Sequence, residues 1–216
     1  MINNVIFDLD GTLFDTSEGI IESVKYAVKE MHLSELKEDE LLAFVGPPLK
    51  DSFMRSCGID ELEAEKAVRR FRKYYADHAI LRATPYDGVY DLIALLKEKN
   101  ISISVATYKP EEFAKRILKH FKMDDCFNSI HGADKSGKQS KEDIVQLCLE
   151  DISATADDTV LVGDTHGDEE AAQRLGIWFL PVSYGFGFNM NSEFVYKKCL
   201  VIAYCPFKIR EIFMGK

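Results

Sequence analysis

The sequence predicts an α/β protein: a doubly wound parallel sheet with an all-helical segment inserted after its first strand. Three observations lead there. From residue 84 onward, short apolar runs alternate with amphipathic helical stretches, as repeated βα units require. An earlier apolar run, Val5-Ile6-Phe7, is separated from these by a long stretch of helical periodicity with no convincing strand. The runs end in polar or glycine-containing turns, which is where an open parallel sheet binds its ligands.

Each element has its own signal. Val5 to Thr12 reads as a buried strand running into a glycine turn, with Asp8 and Asp10 at its carboxyl end. Between Gly19 and Tyr75 the apolar residues recur at helical spacing. Gly46-Pro47-Pro48 and Cys57-Gly58 divide that stretch into three or four helices. Tyr26, Phe44, Phe53, Phe71 and Tyr74 are expected in its core. A helix follows from Val89 to Lys99, then a strand from Ile101 to Thr107 and a helix from Pro110 to about His120. A weak strand is expected at Phe127 to Ile130. Ser140 and Asp143 form a capping box that opens another helix. The strand Thr159 to Gly163, a helix from about Glu169 to Leu175 and a strand from Ile177 to Leu180 complete the series. The expected division is a core of residues 1–15 and 84–216, with a helical insert of residues 16–83.

Composition narrows the function. The 216 residues, 46% apolar and 29% charged, are enough to bury a substantial core. The five cysteines show no CxxC pair, so they read as reduced thiols and give neither a disulfide framework nor a zinc knuckle. A net charge of −9 argues against nucleic acid as a partner. The N-terminal residues do not read as a signal peptide and no window is apolar enough for a membrane span, so the expected location is the cytoplasm. The sequence gives no indication of oligomeric state.

At the strand ends stand Asp8-Leu9-Asp10-Gly11-Thr12, Thr107 and Gly163-Asp164-Thr165-His166-Gly167-Asp168, with Lys141 at a helix start between the last two. Four carboxylates, a hydroxyl and an ammonium would converge on one crevice. Such an oxygen-rich set suits a hard cation such as Mg2+, and the cation together with one lysine suits a small anionic substrate. Lys135 and Lys138 are rivals to Lys141.

These motifs, in this order, resemble those of the haloacid dehalogenase superfamily, in its phosphoglycolate-phosphatase-like branch with a Rossmann-like core and a helical cap. The resemblance covers nearly the whole chain. It implies a phosphatase in which Asp8 is the nucleophile and Asp10 the acid and base, while Thr107 and Lys141 hold the phosphoryl oxygens. It also implies Mg2+ bound by Asp8, the Asp10 carbonyl and Asp164, with Asp168 in or beside the metal shell. Gly11 and Thr12 would line the substrate, a small phosphorylated metabolite. Lys50, in a loop that resembles the substrate-selecting loop of the cap, would contact its anion or else be a solvated surface charge. Tyr108 departs from the small or amide residue expected after Thr107.

Other readings remain open. A phosphomutase would use the same first steps, and a phosphonate hydrolase would place a Schiff-base lysine near Lys50. A non-catalytic metabolite-binding protein would be expected to have lost part of the Asp8, Asp10, Lys141 and Asp164 set. Gly163 to Gly167 also resembles the Gly-Asp-x-His-Gly motif of calcineurin-like metallophosphoesterases, but no histidine here follows an asparagine, as that family's further motif requires. The sequence assigns no role to His166, and Tyr184-Gly185-Phe186-Gly187 reads either as a family loop or as a surface turn.

Overall fold

A computed structural model of the protein describes residues 2–134 and 139–215. The chain forms two compact units. One comprises the N-terminal segment to Phe14 and the chain from Pro85 onward, and the other is Asp15–Thr84. Two-residue strands, β2 (Phe14–Asp15) and β3 (Thr84–Pro85), mark the two passages between them.

In the α/β unit, β1 (Asn4–Phe7) is buried at every position. Such a run suits a parallel strand covered on both faces. It is followed in the chain by α5 (Val89–Glu98), β4 (Ser102–Pro110), α6 (Glu111–His120), β5 (Ser129–Ala133), α7 (Lys141–Asp151), β6 (Thr159–Gly163), α8 (His166–Leu175), β7 (Trp178–Pro181) and α9 (Pro206–Met214). The five longer strands are parallel in the order β5-β4-β1-β6-β7. From β1 the chain moves outward through β4 to β5, then returns to the other side of β1 for β6 and β7. The strand order therefore reverses between β1 and β6, and the carboxyl ends of those two strands open a crevice. Phe7 lies opposite both Val105 and Val162, so Asp8 and Asp164, which follow their strands, stand at a height similar to that of Thr107, where the β4 ladder shifts register before the strand ends at Pro110, three residues beyond its expected end.

One face of the sheet carries α7 and α8, which bury Ile6, Ala106, Leu161 and Phe179 beneath Ile144, Cys148 and Ala172. Alternation puts Val5 and Phe7 on the opposite face, and both are fully buried. The C-terminal α9, which packs against α5, has no counterpart in the expected series. The strand expected at Phe127 to Ile130 begins two residues later, because the Asn128 side chain instead accepts a bond from the Ile103 N–H at the strand entrance.

The helical unit contains α1 (Ser17–Glu30), α2 (Glu38–Leu42), α3 (Leu49–Cys57) and α4 (Glu61–Tyr74), followed by a π-helical turn at Tyr75–Ala79. The breaks fall where expected: Pro48 precedes α3, and Gly58 ends it in a left-handed conformation. Phe44, Phe53 and Phe71 are buried, with Phe44 edge-on to Phe53 at 4.9 Å. Tyr26 and Tyr74 are not core residues. Their rings stack at 4.3 Å near the surface, where the Tyr74 hydroxyl donates to Glu22, because a phenol seeks a polar partner.

Phe179 is fully buried, and its ring contacts those of Phe188 and Phe194. Phe179→Ala is expected to cost about 3–5 kcal/mol in a denaturant titration. A loss below about 1 kcal/mol would show that this cluster is not part of the cooperative core.

Candidate active site

The segment after β1 is shaped by its backbone. Leu9 accepts bonds from the N–H groups of Leu13 and Phe14, and the Gly11 N–H donates to Phe14 at 2.8 Å. The chain therefore turns sharply, with Gly11 at a φ of +82°. This turn holds Asp8 and Asp10, both buried, at the crevice.

Asp8 and Asp168 are bridged by one buried lysine. The Lys141 ammonium lies 2.6 Å from Asp8 Oδ1 and 2.8 Å from Asp168 Oδ1. The expected capping box places Lys141 in the first turn of α7: Ser140 accepts from the Asp143 N–H, and Asp143 accepts from the Ser140 N–H. Tyr108 adds a further hold. Its hydroxyl accepts the Lys141 backbone N–H at 2.9 Å, and its ring lies 5.7 Å from the Lys141 ammonium. The rivals Lys135 and Lys138 lie outside the described residues.

Asp168 also organises the start of α8. Its Oδ2 accepts from the backbone and hydroxyl of Thr165 at 3.1 and 2.7 Å. This pulls the helix start back to His166, ahead of the expected Glu169. His166 itself is exposed and pairs with Glu169.

Asp164 is wrapped by the loop after β7. The Phe186 N–H donates to Asp164 Oδ2 at 2.7 Å, and the Phe188 N–H donates to the Asp164 carbonyl. A Cβ at Gly11 or at Gly185 would overlap the Asp164 carboxylate, so both positions need glycine for close approach. The Tyr184 to Gly187 stretch is therefore structural around Asp164.

Asp8, Asp164 and Asp168 each offer a carboxylate oxygen within 4.8 Å of the other two, and all three residues are buried. Asp164 Oδ1 has no hydrogen-bond partner despite its burial. An orphaned carboxylate oxygen beside two more carboxylates fits the hard-cation donor set that the sequence suggested. Asp10 is not in that triad. Its Oδ2 lies 2.9 Å from the ammonium of Lys109, a residue the sequence reading passed over. Thr107 is buried, and its hydroxyl oxygen accepts the Lys109 N–H at 3.2 Å, leaving its own O–H proton to donate elsewhere. Thr12 is buried nearby in the chain, and its hydroxyl oxygen has no hydrogen-bond partner. Lys50 belongs to the helical unit and pairs with Glu61 at 2.7 Å on an exposed surface.

Four buried carboxylates against two ammonium groups leave a formal excess of two negative charges. Burial pushes the Asp8 carboxyl from 3.8 up to about 7 against the pull of Lys141, and Asp168 and Asp10 add to the rise. Burial, then the charges of Asp8 and Asp168, also raise Asp164 well above the carboxylate range. For Lys141, burial alone would favour the neutral amine, but Asp168 and Asp8 outweigh it and hold the ammonium charged.

The sign of the Asp8 shift gives a test on metal-free protein. The folded state holds a proton on Asp8 at pH values where the unfolded chain has lost it, so this group's contribution to stability falls as pH rises between about 4 and 7. Asp8→Asn removes that penalty. Between about pH 5 and pH 8, the stability of Asp8→Asn relative to wild type is expected to rise by about 2 kcal/mol. A difference that stays flat with pH, measured by denaturant titration in chelator, would contradict the raised carboxyl.

Comparison with known proteins agrees with this geometry. A family model described as haloacid dehalogenase-like hydrolase matches residues 5–182. A 5'-nucleotidase of Pseudomonas aeruginosa is 35% identical over 185 residues, covering 85% of this chain and 84% of its own. Tyrosine-protein kinase PtkA of Mycobacterium tuberculosis is 34% identical over 194 residues, which span 89% of this chain and 65% of that one. The solved structure of a predicted phosphatase from Clostridium acetobutylicum superposes with a TM-score of 0.89 at 33% identity and covers 100% of both chains. No helix among the described residues is long and apolar enough to cross a membrane. With the family model spanning most of its length and the acidic crevice at the strand ends, the chain belongs to the haloacid dehalogenase-like hydrolase family and is an enzyme of its phosphatase kind.

Proposed function

We propose that the chain is a magnesium-dependent phosphomonoester hydrolase that acts on a small phosphorylated metabolite through a phosphoaspartyl intermediate on Asp8. The observation that carries this reading is the buried Asp8 carboxylate, paired with Lys141 and flanked by Asp164 with its unengaged oxygen. A nucleophile, a cation to meet the phosphoryl group and donors for a metal thus stand together.

Asp8 attacks phosphorus, and the ester oxygen leaves with a proton from Asp10. Asp10 then takes a proton from water as that water attacks the acyl phosphate, which returns free Asp8 and inorganic phosphate. Thr107 and Lys141 donate to the phosphoryl oxygens, and Gly11 and Thr12 belong to the loop that receives them. Asp8, Asp164 and the Asp10 carbonyl are the ligands assigned to Mg2+, with Asp168 in or beside its shell. When bound, the ion neutralises the repulsion between a carboxylate nucleophile and an anionic phosphate. On this reading residues 16–83 are the cap domain and residues 1–15 and 84–216 the core domain, and Lys50 either contacts the substrate anion or is the surface charge that its pairing with Glu61 suggests. The name of the Pseudomonas relative supports a phosphate monoester as substrate, with phosphoglycolate-like compounds and sugar phosphates as the first classes to test. The name of the Mycobacterium relative favours one second reading, transfer of the phosphoryl group to an acceptor other than water.

A panel of phosphorylated metabolites incubated with Mg2+ tests the proposal by phosphate release. Turnover is expected to vanish in excess chelator while the circular dichroism spectrum is retained. Asp8→Asn is expected to lose about 10³-fold or more of the activity. Full turnover in chelator, or wild-type rates in a pure Asp8→Asn preparation, would overturn the reading. Phosphate appearing on an added alcohol or phenol in place of solution would favour transfer over hydrolysis.

A further inference from the structure

Lys109 has no part in the roles assigned above, yet it is one of the least exposed lysines among the described residues. Its side chain is 5% exposed, and that of its partner Asp10 is 9% exposed. Ordering and desolvating a lysine is costly, and a buried ion pair usually gives no more stability than apolar side chains of similar size. The pair therefore calls for a reason other than stability. The backbone supplies one. The ladder between β4 and β5 shifts register between Thr107 and Pro110, the kind of irregularity that re-aims a side chain beside an active site. The Lys109 N–H is tied back to the Thr107 hydroxyl. Lys109 is thus delivered to Asp10 by the same strand end that carries Thr107.

We infer that Lys109 is a positioning residue for Asp10, holding Oδ2 so that the carboxylate keeps one orientation toward the ester oxygen and the attacking water. The inference rests on the acid and base role proposed for Asp10. Small errors in the placement of such a group cost large factors in rate, so a fixed partner on the carboxylate has a direct catalytic use. Lys109 acts through Asp10 and itself neither gives nor takes a proton.

A double-mutant cycle of Lys109→Met and Asp10→Asn tests this on two substrates: p-nitrophenyl phosphate, whose leaving group needs little protonation, and an alkyl phosphate that the wild type hydrolyses. Asp10→Asn is expected to slow the alkyl ester by about 10²-fold or more and to slow release of nitrophenol in the first turnover much less. Lys109→Met should show the same preference with a smaller loss in kcat and a change in KM below about threefold. The double variant should be no slower than Asp10→Asn alone, since coupled residues are not additive. Lys109→Arg should recover part of the rate on the alkyl ester. If Asp10→Asn discriminates between the esters while Lys109→Met slows both equally and its loss multiplies with that of Asp10→Asn, the inference falls and the Asp10 role stands. If Asp10→Asn itself treats both esters alike, the Asp10 role falls and the inference with it. Should Lys109→Met fail to fold, the double variant, which removes both buried charges, still decides: a rate well below that of Asp10→Asn overturns the inference.

Discussion

The Lys141 ammonium, buried between the carboxylates of Asp8 and Asp168, is the interaction on which the rest of the site depends. It opposes the cost of burying Asp8 as a carboxylate, because desolvation alone would drive that group toward its neutral form. It also commits Asp168, whose other oxygen caps α8, so the same contact joins the starts of α7 and α8. Even so, two lysines cannot balance four buried carboxylates. Burial first, and then this residual charge, raise the Asp8 and Asp164 carboxyls, and one Asp164 oxygen is left without a partner. One divalent cation would neutralise that excess and occupy that oxygen.

Topology makes the convergence possible. Because the strand order reverses beside β1, its neighbours on either side are β4 and β6, which brings Asp8, Thr107 and Asp164 to similar heights from distant parts of the chain. The loop after β7 then closes on Asp164 through backbone N–H groups, which hold the carboxylate without adding charge. The network is therefore built from strand ends, two helix starts and one glycine-bearing loop. In such an arrangement the flanking loops and helices can vary while the chemistry stays fixed.

Much of this was legible in the sequence for definite physical reasons. Asp8 and Asp164 follow buried apolar runs and Lys141 follows an N-cap serine, so local patterns placed these three at the ends of elements, whereas β4 continues past Thr107 to Pro110. What stayed hidden depends on contacts between distant segments. Lys109 is an ordinary lysine until the β4 irregularity brings it to Asp10. Tyr108 looked like a departure from pattern, and only the fold shows its hydroxyl on the Lys141 backbone. Asp168 stood out as a carboxylate, but its capping of α8 moved the helix start from where periodicity put it. Tyr26 and Tyr74 fit a helical core by spacing, yet the Tyr74 hydroxyl bonds Glu22 near the surface and Tyr26 stacks on its ring there.

The central claim is that this crevice is built to take one divalent cation against its excess negative charge. Calorimetric titration of metal-free protein with Mg2+ at about pH 7, in buffers of differing ionisation enthalpy, measures binding and proton release together. One site per chain is expected, with release of up to about one proton as the ion displaces the proton held on the carboxylate cluster, and with binding lost in Asp164→Ala. Absence of binding, or binding that neither releases protons nor depends on Asp164, would contradict the account.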